Sequence, residues 1–178
     1  MRIIAGRLKG RRLTAPAGLD VRPTSDRLRE TLFNVLADSV EGARVLDGFA
    51  GTGALGLEAW SRGAASVVFI ERDPGALRAL ESNVHACGVD EACAIIRGDF
   101  QTSDVEPARF DLVLLDPPYA LEDLQATVNR GAEWAAPGGR LVLEHGRRRA
   151  SPEQAGSLMR YRVLVAGDSA LSFYGPPA

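Results

Sequence analysis

Two stretches of this chain combine residue types that could do chemistry. The first is Leu115-Asp116-Pro117-Pro118-Tyr119, which closes an apolar run. Two successive prolines forbid a helix and remove two amide donors, so they set a stiff turn whose carbonyls remain free to accept. Asp116 adds a carboxylate acceptor and Tyr119 an aromatic face. An exocyclic amino group on a planar ring requires that set, because its lone pair is delocalised and the nitrogen is a weak nucleophile. If Asp116 and the carbonyl of Pro117 hold its N–H groups, the nitrogen can pyramidalise as it attacks. The positive charge then develops against acceptors already in place, which is stabilisation specific to the transition state. Tyr119 would stack on the ring and set its plane. A turn that merely ends a strand would explain the prolines, but not their combination with the second stretch.

That second stretch is Asp47-Gly48-Phe49-Ala50-Gly51-Thr52-Gly53-Ala54-Leu55-Gly56. Gly51, Gly53 and Gly56 satisfy the dinucleotide fingerprint literally, and Glu71 follows at the end of the next strand, where a carboxylate can take ribose hydroxyls. Any adenosine-bearing cofactor fits so far, a nicotinamide included. Three features favour S-adenosylmethionine. Asp47 would repel a pyrophosphate but can pair, directly or through water, with the ammonium of a methionine moiety. Asp99 can accept from the adenine amino group while Phe100 covers the ring. The Asp116 turn suits methyl transfer. Leu55 and Arg72, adjoining the turn and Glu71, complete the expected cofactor contacts in this region.

These residues must be positioned by a parallel sheet. The pattern predicts strands over 44–46, 66–70, 93–97, 110–115 and 140–144. Between them it predicts helices over 54–62, 74–86 and 121–135, the last ending before Pro137-Gly138-Gly139. A helix capped by Thr24 or Ser25 runs to about Ser39, and segments 161–165 and 170–174 form a terminal antiparallel hairpin around Gly167-Asp168. Alternation of strand and helix means a mostly parallel sheet, here of seven strands, with helices on both faces and ligands bound beyond the carboxyl ends of the strands. Residues 1–24 form a small N-terminal β-hairpin extension and 25–178 the α/β domain.

Charge separates these two parts. The 178 residues carry a net charge of −2, yet residues 1–30 hold eight cations against three acids, a net +5 that leaves −7 for the remainder. A basic head on an acidic body suits an anionic partner, with Arg2, Arg7, Lys9, Arg11 and Arg12 as the grip, or else a solvated edge kept from aggregating. A 46% hydrophobic and 25% charged composition excludes wholesale disorder. No apolar run is long enough to span a bilayer, and no leader pattern opens the chain, so a cytoplasmic protein is expected. Cys87 and Cys93 form no CxxC pattern, and His85, expected to be exposed, and His145, expected at the cleft rim, lack ligand spacing, so no metal is expected. Trp60 and Trp134 read as packing residues. Arg147-Arg148-Arg149 reads as a solvated loop in preference to a second phosphate contact.

The Asp-Pro-Pro-Tyr turn resembles that of class I S-adenosylmethionine methyltransferases acting on amino groups, with a Rossmann-like fold. The head block Arg2-Ile3-Ile4-Ala5-Gly6, the segment Arg22-Pro23-Thr24-Ser25-Asp26-Arg27-Leu28-Arg29-Glu30 and the helix Ala54-Leu55-Gly56-Leu57-Glu58-Ala59 are more specific. They are similar to the bacterial 16S ribosomal RNA guanine-N2 methyltransferase family over nearly the whole chain. The resemblance implies methylation of one guanine N2 in 16S ribosomal RNA, within the small subunit or its assembly intermediate, with S-adenosyl-L-homocysteine as product. It also implies that ribosomal proteins can be part of the substrate; a monomer is expected. It places Arg22 and Thr24 against the methionine end of the cofactor pocket and the basic head on RNA backbone. Gly48 replaces the more usual Cys or Asp, with no mechanistic consequence expected. Adenine N6 in DNA, a protein glutamine, a nicotinamide oxidoreductase and a non-enzymatic RNA-binding module remain alternatives at this point.

Overall fold

The computed structural model describes residues 1–16 and 26–177. Arg22, Thr24 and the expected helix cap at Thr24 or Ser25 lie outside these residues. In chain order the elements are α1 (Asp26–Leu36), β1 (Arg44–Asp47), α2 (Ala54–Ser61), β2 (Ser66–Glu71), α3 (Pro74–Cys87), β3 (Cys93–Arg97) and β4 (Phe110–Leu115). They continue with α4 (Leu124–Trp134), β5 (Ala135–Gly146), β6 (Gln154–Ala155), β7 (Leu158–Ala166) and β8 (Ser169–Gly175). The strands form one sheet in the order β3-β2-β1-β4-β5-β8-β7-β6. β3, β2, β1, β4 and β5 are parallel, and β8, β7 and β6 add on antiparallel.

Side-chain alternation along the buried strands builds two cores, one on each face of the sheet. Val45, Phe69, Leu112 and Leu114 point to the face covered by α1, α2 and α3, where they meet Phe33, Leu57 and Leu80. Their sequence neighbours Leu46, Ile70, Val113 and Leu115 point to the other face, where α4 lays down Leu124 and Val128 beside Phe100 and Trp134. Strands buried on both faces read as unbroken apolar runs, which is why Phe110–Leu115 is so legible.

Three expectations need correction. The sheet has an eighth strand, the two-residue β6, too short to leave a periodic signal. β5 begins at Ala135 and not at Arg140, because the sheet absorbs Pro137-Gly138-Gly139 as an irregularity: Phe110 pairs with Ala135, then Leu112 with Arg140. α4 starts at Leu124, since Asp123 is its N-cap and accepts from the Ala126 amide at 2.8 Å.

The head is a short hairpin. Its two arms meet at the antiparallel bridge of Arg2 with Arg12, flanked by backbone bonds from the Ile3 amide to the Arg11 carbonyl at 2.9 Å, the Gly10 amide to the Ile3 carbonyl at 2.9 Å and the Leu13 amide to the Met1 carbonyl at 3.1 Å. Other head amides turn to the body: Ile4 and Ala5 donate to the Glu58 carboxylate at 2.8 and 3.1 Å, Arg7 to the Ser61 carbonyl at 2.8 Å and Leu8 to Ser61 Oγ at 2.9 Å. Ile3 and Leu13 are buried in the core under α1–α3. Arg2, Arg7, Lys9, Arg11 and Arg12 stay exposed, as a phosphate grip requires.

Candidate active site

β1 delivers the glycine turn. Its backbone is tied to both neighbouring strands, with the Gly48 amide donating to the Leu114 carbonyl at 2.9 Å and the Ala50 amide to the Ile70 carbonyl at 3.0 Å. Gly53 caps α2 at φ 82°, a left-handed conformation that favours glycine. Gly48 has a packing consequence that its small size alone did not announce. A Cβ there would come within 2.6 Å of Phe100 Cε2 and of Leu115 Cδ2, so glycine is what lets the Phe100 ring close against the turn. Phe100 stacks on Phe49 (centroids 4.6 Å apart) and meets the edge of Trp134. It therefore lines the site as part of a buried aromatic layer, 2% exposed, and not as a free cover.

A cleft of about 740 Å³ opens above the carboxyl ends of the central strands. Gly48, Gly51, Leu55, Glu71, Arg72, Asp99, Phe100, Asp116, Pro117 and Tyr119 all line it. Residues more than a hundred positions apart in sequence, Met1, Glu144 and Ser169 among them, complete its walls. Glu71 is held rigidly: Oε1 accepts from the amides of Arg72 and Asp73 at 2.8 and 2.7 Å, and Oε2 accepts from the Gly51 amide at 2.7 Å. With one lone pair of Oε2 uncommitted by these bonds, the carboxylate still suits a ribose hydroxyl. Asp99 is fixed by the Gln101 amide at 2.8 Å and by the Arg72 guanidinium at 2.6 Å. These partners hold its carboxyl below the usual carboxylate range, so it is an acceptor at neutral pH.

The second half of the cleft is the Asp116 turn. Pro117 is buried, Pro118 accepts from the Leu121 amide at 2.9 Å, and Tyr119 is 42% exposed with its hydroxyl 2.7 Å from Ser169 Oγ. A partly exposed ring with a tethered hydroxyl is an arrangement for stacking a flat heterocycle in a set plane.

Asp47 and Gly53 do not line the cleft; they act from beneath it. Asp47 is 1% exposed, and its Oδ2 accepts from the Gly56 amide at 2.9 Å, which fixes the start of α2. Burial raises its pKa from 3.8 to about 7; the Gly56 amide opposes that rise and the nearby Glu71 charge reinforces it. Its Oδ1 has no hydrogen-bond partner. The other buried side-chain atoms in that state among the described residues are Nε and Nη1 of Arg29. Arg29 is wholly buried on α1 and also lines the cleft, while its Nη2 donates to the Arg2 carbonyl and to Asp26. Sequence reasoning missed it. A cation inside a helical pattern reads as solvated, and only the packing of head on helix buries it.

His145 departs from expectation. It lies within β5 and is buried, with Nε2 2.8 Å from Ser172 Oγ, and it faces a smaller hollow beside the proline turn. His85 is exposed near Asp90. Trp60 is half-buried under the Arg7 guanidinium, and Trp134 is buried. Both cysteines are free thiols whose pKa burial pushes up, that of Cys93 to about 12. Among the described residues, no cluster of three or more His, Cys, Asp or Glu is placed to hold a metal, and no helix is long and apolar enough to cross a membrane.

Comparison with known proteins agrees with the geometry. A family described as conserved hypothetical protein 95 matches residues 1–175. The ribosomal RNA small subunit methyltransferase D of Escherichia coli K12 is 35% identical over 98% of this chain and 89% of its own length. The solved structure of yhhF from Escherichia coli superposes with a TM-score of 0.85 at 35% identity, covering 99% of this chain and 97% of that one. The Thermus thermophilus 16S rRNA N2 G1207 methyltransferase RsmC, solved with AdoMet and guanosine, superposes with a TM-score of 0.73 at 27% identity, over 90% of this chain and 45% of that one. An Asp-Pro-Pro-Tyr turn and a glycine turn lining one cleft, with a family match over residues 1–175 and likeness to the Escherichia coli enzyme over 98% of the chain, place the chain in the conserved hypothetical protein 95 family, that of the bacterial 16S ribosomal RNA guanine-N2 methyltransferases.

Proposed function

We propose that this protein transfers a methyl group from S-adenosylmethionine to the exocyclic N2 of a guanine in 16S ribosomal RNA. The observation that carries the reading is that one cleft is walled on one side by Glu71, Asp99 and the glycine turn and on the other by Asp116, Pro117 and Tyr119. The donor fits the residues present. Glu71 offers a preset acceptor to the ribose and Asp99 to the adenine amino group. The orphaned Oδ1 of Asp47, a carboxyl that an ammonium would draw into its ionised form, and the orphaned N–H groups of Arg29 are an acceptor and a cation suited to the ammonium and carboxylate of an amino acid. When bound, S-adenosylmethionine supplies an electrophilic methyl group on sulfur.

The chain's own residues do the rest. Asp116 and the Pro117 carbonyl accept the two N–H groups of the guanine amine, so that its lone pair is released from the ring and faces the cofactor side. Asp116 stabilises the charge that develops on nitrogen. Tyr119, held through Ser169, stacks on the base and fixes its plane. To reach this pocket the base must leave any helical stack. The exposed cations of the head grip phosphate. Residues 1–24 thus serve as a basic extension and 25–178 as the methyltransferase domain, acting as a cytoplasmic monomer on small subunits in which ribosomal proteins form part of the recognised surface. Arg22 and Thr24 belong to the same cofactor wall in this reading.

The test is methyl transfer from labelled S-adenosylmethionine to small subunits from a strain lacking the protein, with duplex DNA and a peptide release factor as parallel substrates. One labelled guanine, mapped as N2-methylguanine and absent with Asp116→Ala, is the expected result. Label in DNA or in protein glutamine overturns the acceptor, and tighter binding of NAD(H) than of S-adenosylhomocysteine overturns the cofactor.

A further inference from the structure

We infer that Arg147 and Arg148 form a second RNA contact, on the opposite flank of the cleft from the basic head, that holds the phosphodiester next to the target guanine. This rests on the functional reading above. The sheet supplies the placement. β4 and β5 run parallel with Leu115 opposite Leu143, so their carboxyl ends share an edge. Arg147 lies four residues past Leu143, about 13 Å further along at about 3.3 Å per residue, and Asp116 lies one residue past Leu115. The two arginines therefore stand about 10 Å above the reaction turn, one strand over.

The turn that carries them is rigid. The Arg147 amide donates to the Asp168 carbonyl at 2.8 Å and the Arg149 amide to the Gly146 carbonyl at 2.9 Å. The Arg149 guanidinium donates to the carbonyls of Leu121 and Glu122, in the loop that follows Tyr119. Arg149 is thus committed to the protein, and it clamps the arginine turn to the reaction turn. Arg147 and Arg148 are exposed and have no ion-pair partner among the described residues. Arg148 lines a hollow of about 350 Å³ whose wall includes Pro118 and Tyr119. Arg147, Arg148 and Asp168 line a second hollow, so two cations face one acid there.

A cation beside the stacking tyrosine, Arg148, with Arg147 next to it on the bonded turn, suits an anion that arrives with the base. A nucleotide whose base is swung onto Tyr119 carries its own phosphates to that rim. Phosphate contacts of this kind set register and carry no sequence information. The head docks on α2 through Glu58 and Ser61, and the arginine turn rises from the β5 end across the cleft from it. RNA bridging the two would be held on both sides of the flipped base.

The experiment measures binding to unmethylated small subunits between 50 and 200 mM salt for the wild type and for Arg147→Gln/Arg148→Gln. Loss of two phosphate contacts on single-stranded RNA lowers the slope of log affinity against log salt by about 1.4. We expect that change, a roughly tenfold affinity loss at 150 mM salt, and rescue by Arg147→Lys/Arg148→Lys. S-adenosylhomocysteine affinity stays unchanged and reports the fold. Arg109→Gln removes one exposed charge at the start of β4, the far end of the sheet, and should leave the slope intact. A double variant whose slope matches the wild type overturns this inference while methylation of the subunits stands. A wild type that neither binds nor methylates them overturns the functional reading instead.

Discussion

Asp47→Asn separates the electrostatics of the glycine turn from its shape. The asparagine carbonyl can still accept from the Gly56 amide, so the hydrogen bond at 2.9 Å survives while the buried charge is lost. In the folded protein Asp47 keeps its proton up to about pH 7, whereas unfolded it gives the proton up near 3.8. Between those values the folded state binds more protons than the unfolded one, so this group's contribution to stability falls as pH rises from about 4 to 7 and is flat above. The whole gap, at about 1.4 kcal/mol per pH unit, is about 4 kcal/mol. Over the practical window from pH 5.5 to 8 it is about 2 kcal/mol. The asparagine does not titrate, so the variant should gain about 2 kcal/mol on the wild type across that window, or about 4–8 °C in Tm for a domain of this size. A constant offset of about 1–3 kcal/mol against the variant is expected at all pH values if its amide N–H finds no partner.

Ligand binding supplies the second half of the test. If Asp47 meets the ammonium of the donor, binding stabilises the carboxylate. S-adenosylhomocysteine affinity of the wild type should then rise about tenfold from pH 6 to 8, and that of Asp47→Asn should be flat and lower. Urea melts and calorimetric titration at five pH values read both effects. Parallel stability curves for the two proteins would refute the buried-charge argument, and a pH-independent wild-type affinity would refute the ammonium contact.

Asp116→Asn keeps the size of the side chain and removes its charge. Methyl transfer at saturating substrates should fall by about 10²–10³-fold, with S-adenosylhomocysteine affinity within twofold of wild type in a titration. Glu58 is wholly buried and takes two head amides and Arg62 Nε, so Glu58→Ala should cost about 3–5 kcal/mol in a urea melt and open residues 1–14 to protease. Gly48→Ala would push a methyl group to within 2.6 Å of Phe100 and Leu115; a loss of about 1–3 kcal/mol in stability and weaker S-adenosylhomocysteine binding are expected, and an unchanged melt would show that the aromatic layer can shift.

The fold was legible where burial on both faces leaves a continuous apolar run. Phe110–Leu115 matches its expected limits, as does the half-covered edge strand Cys93–Arg97, and the flanking helices differ mainly at their ends. It was not legible where partners distant in sequence decide. A Pro-Gly-Gly stretch reads as a break, but the neighbouring strand edge keeps β5 running through it. The two-residue β6 exists because β7 lies beside it, with Gln154 opposite Met159. The same holds in the site. Residues with a sequence signature, such as Glu71, Asp99 and Asp116, stand in the cleft. Arg29 and Glu58, which the fold buries, carry no pattern that distinguishes them from solvated helix charges.

Those buried charges show why the head cannot be treated as an appendage. Asn83, on α3, accepts from the Thr14 amide at 2.8 Å and donates to the carbonyls of Thr14 and Thr52, each at 2.9 Å. Thr52 belongs to the glycine turn, and its hydroxyl also meets Met1 Sδ at 3.7 Å. Arg29 bonds the Arg2 carbonyl while lining the cleft. The segment with the exposed cations is therefore bonded, through single side chains, to the turn that faces the donor. Losing the head would leave Asn83 and the Nη2 of Arg29 without these buried partners at a cost of about 1–3 kcal/mol each, so head and turn are held in one arrangement. A change that loosens the head should for that reason weaken S-adenosylhomocysteine binding as well as RNA binding, whereas neutralising the head's exposed arginines should weaken RNA binding alone.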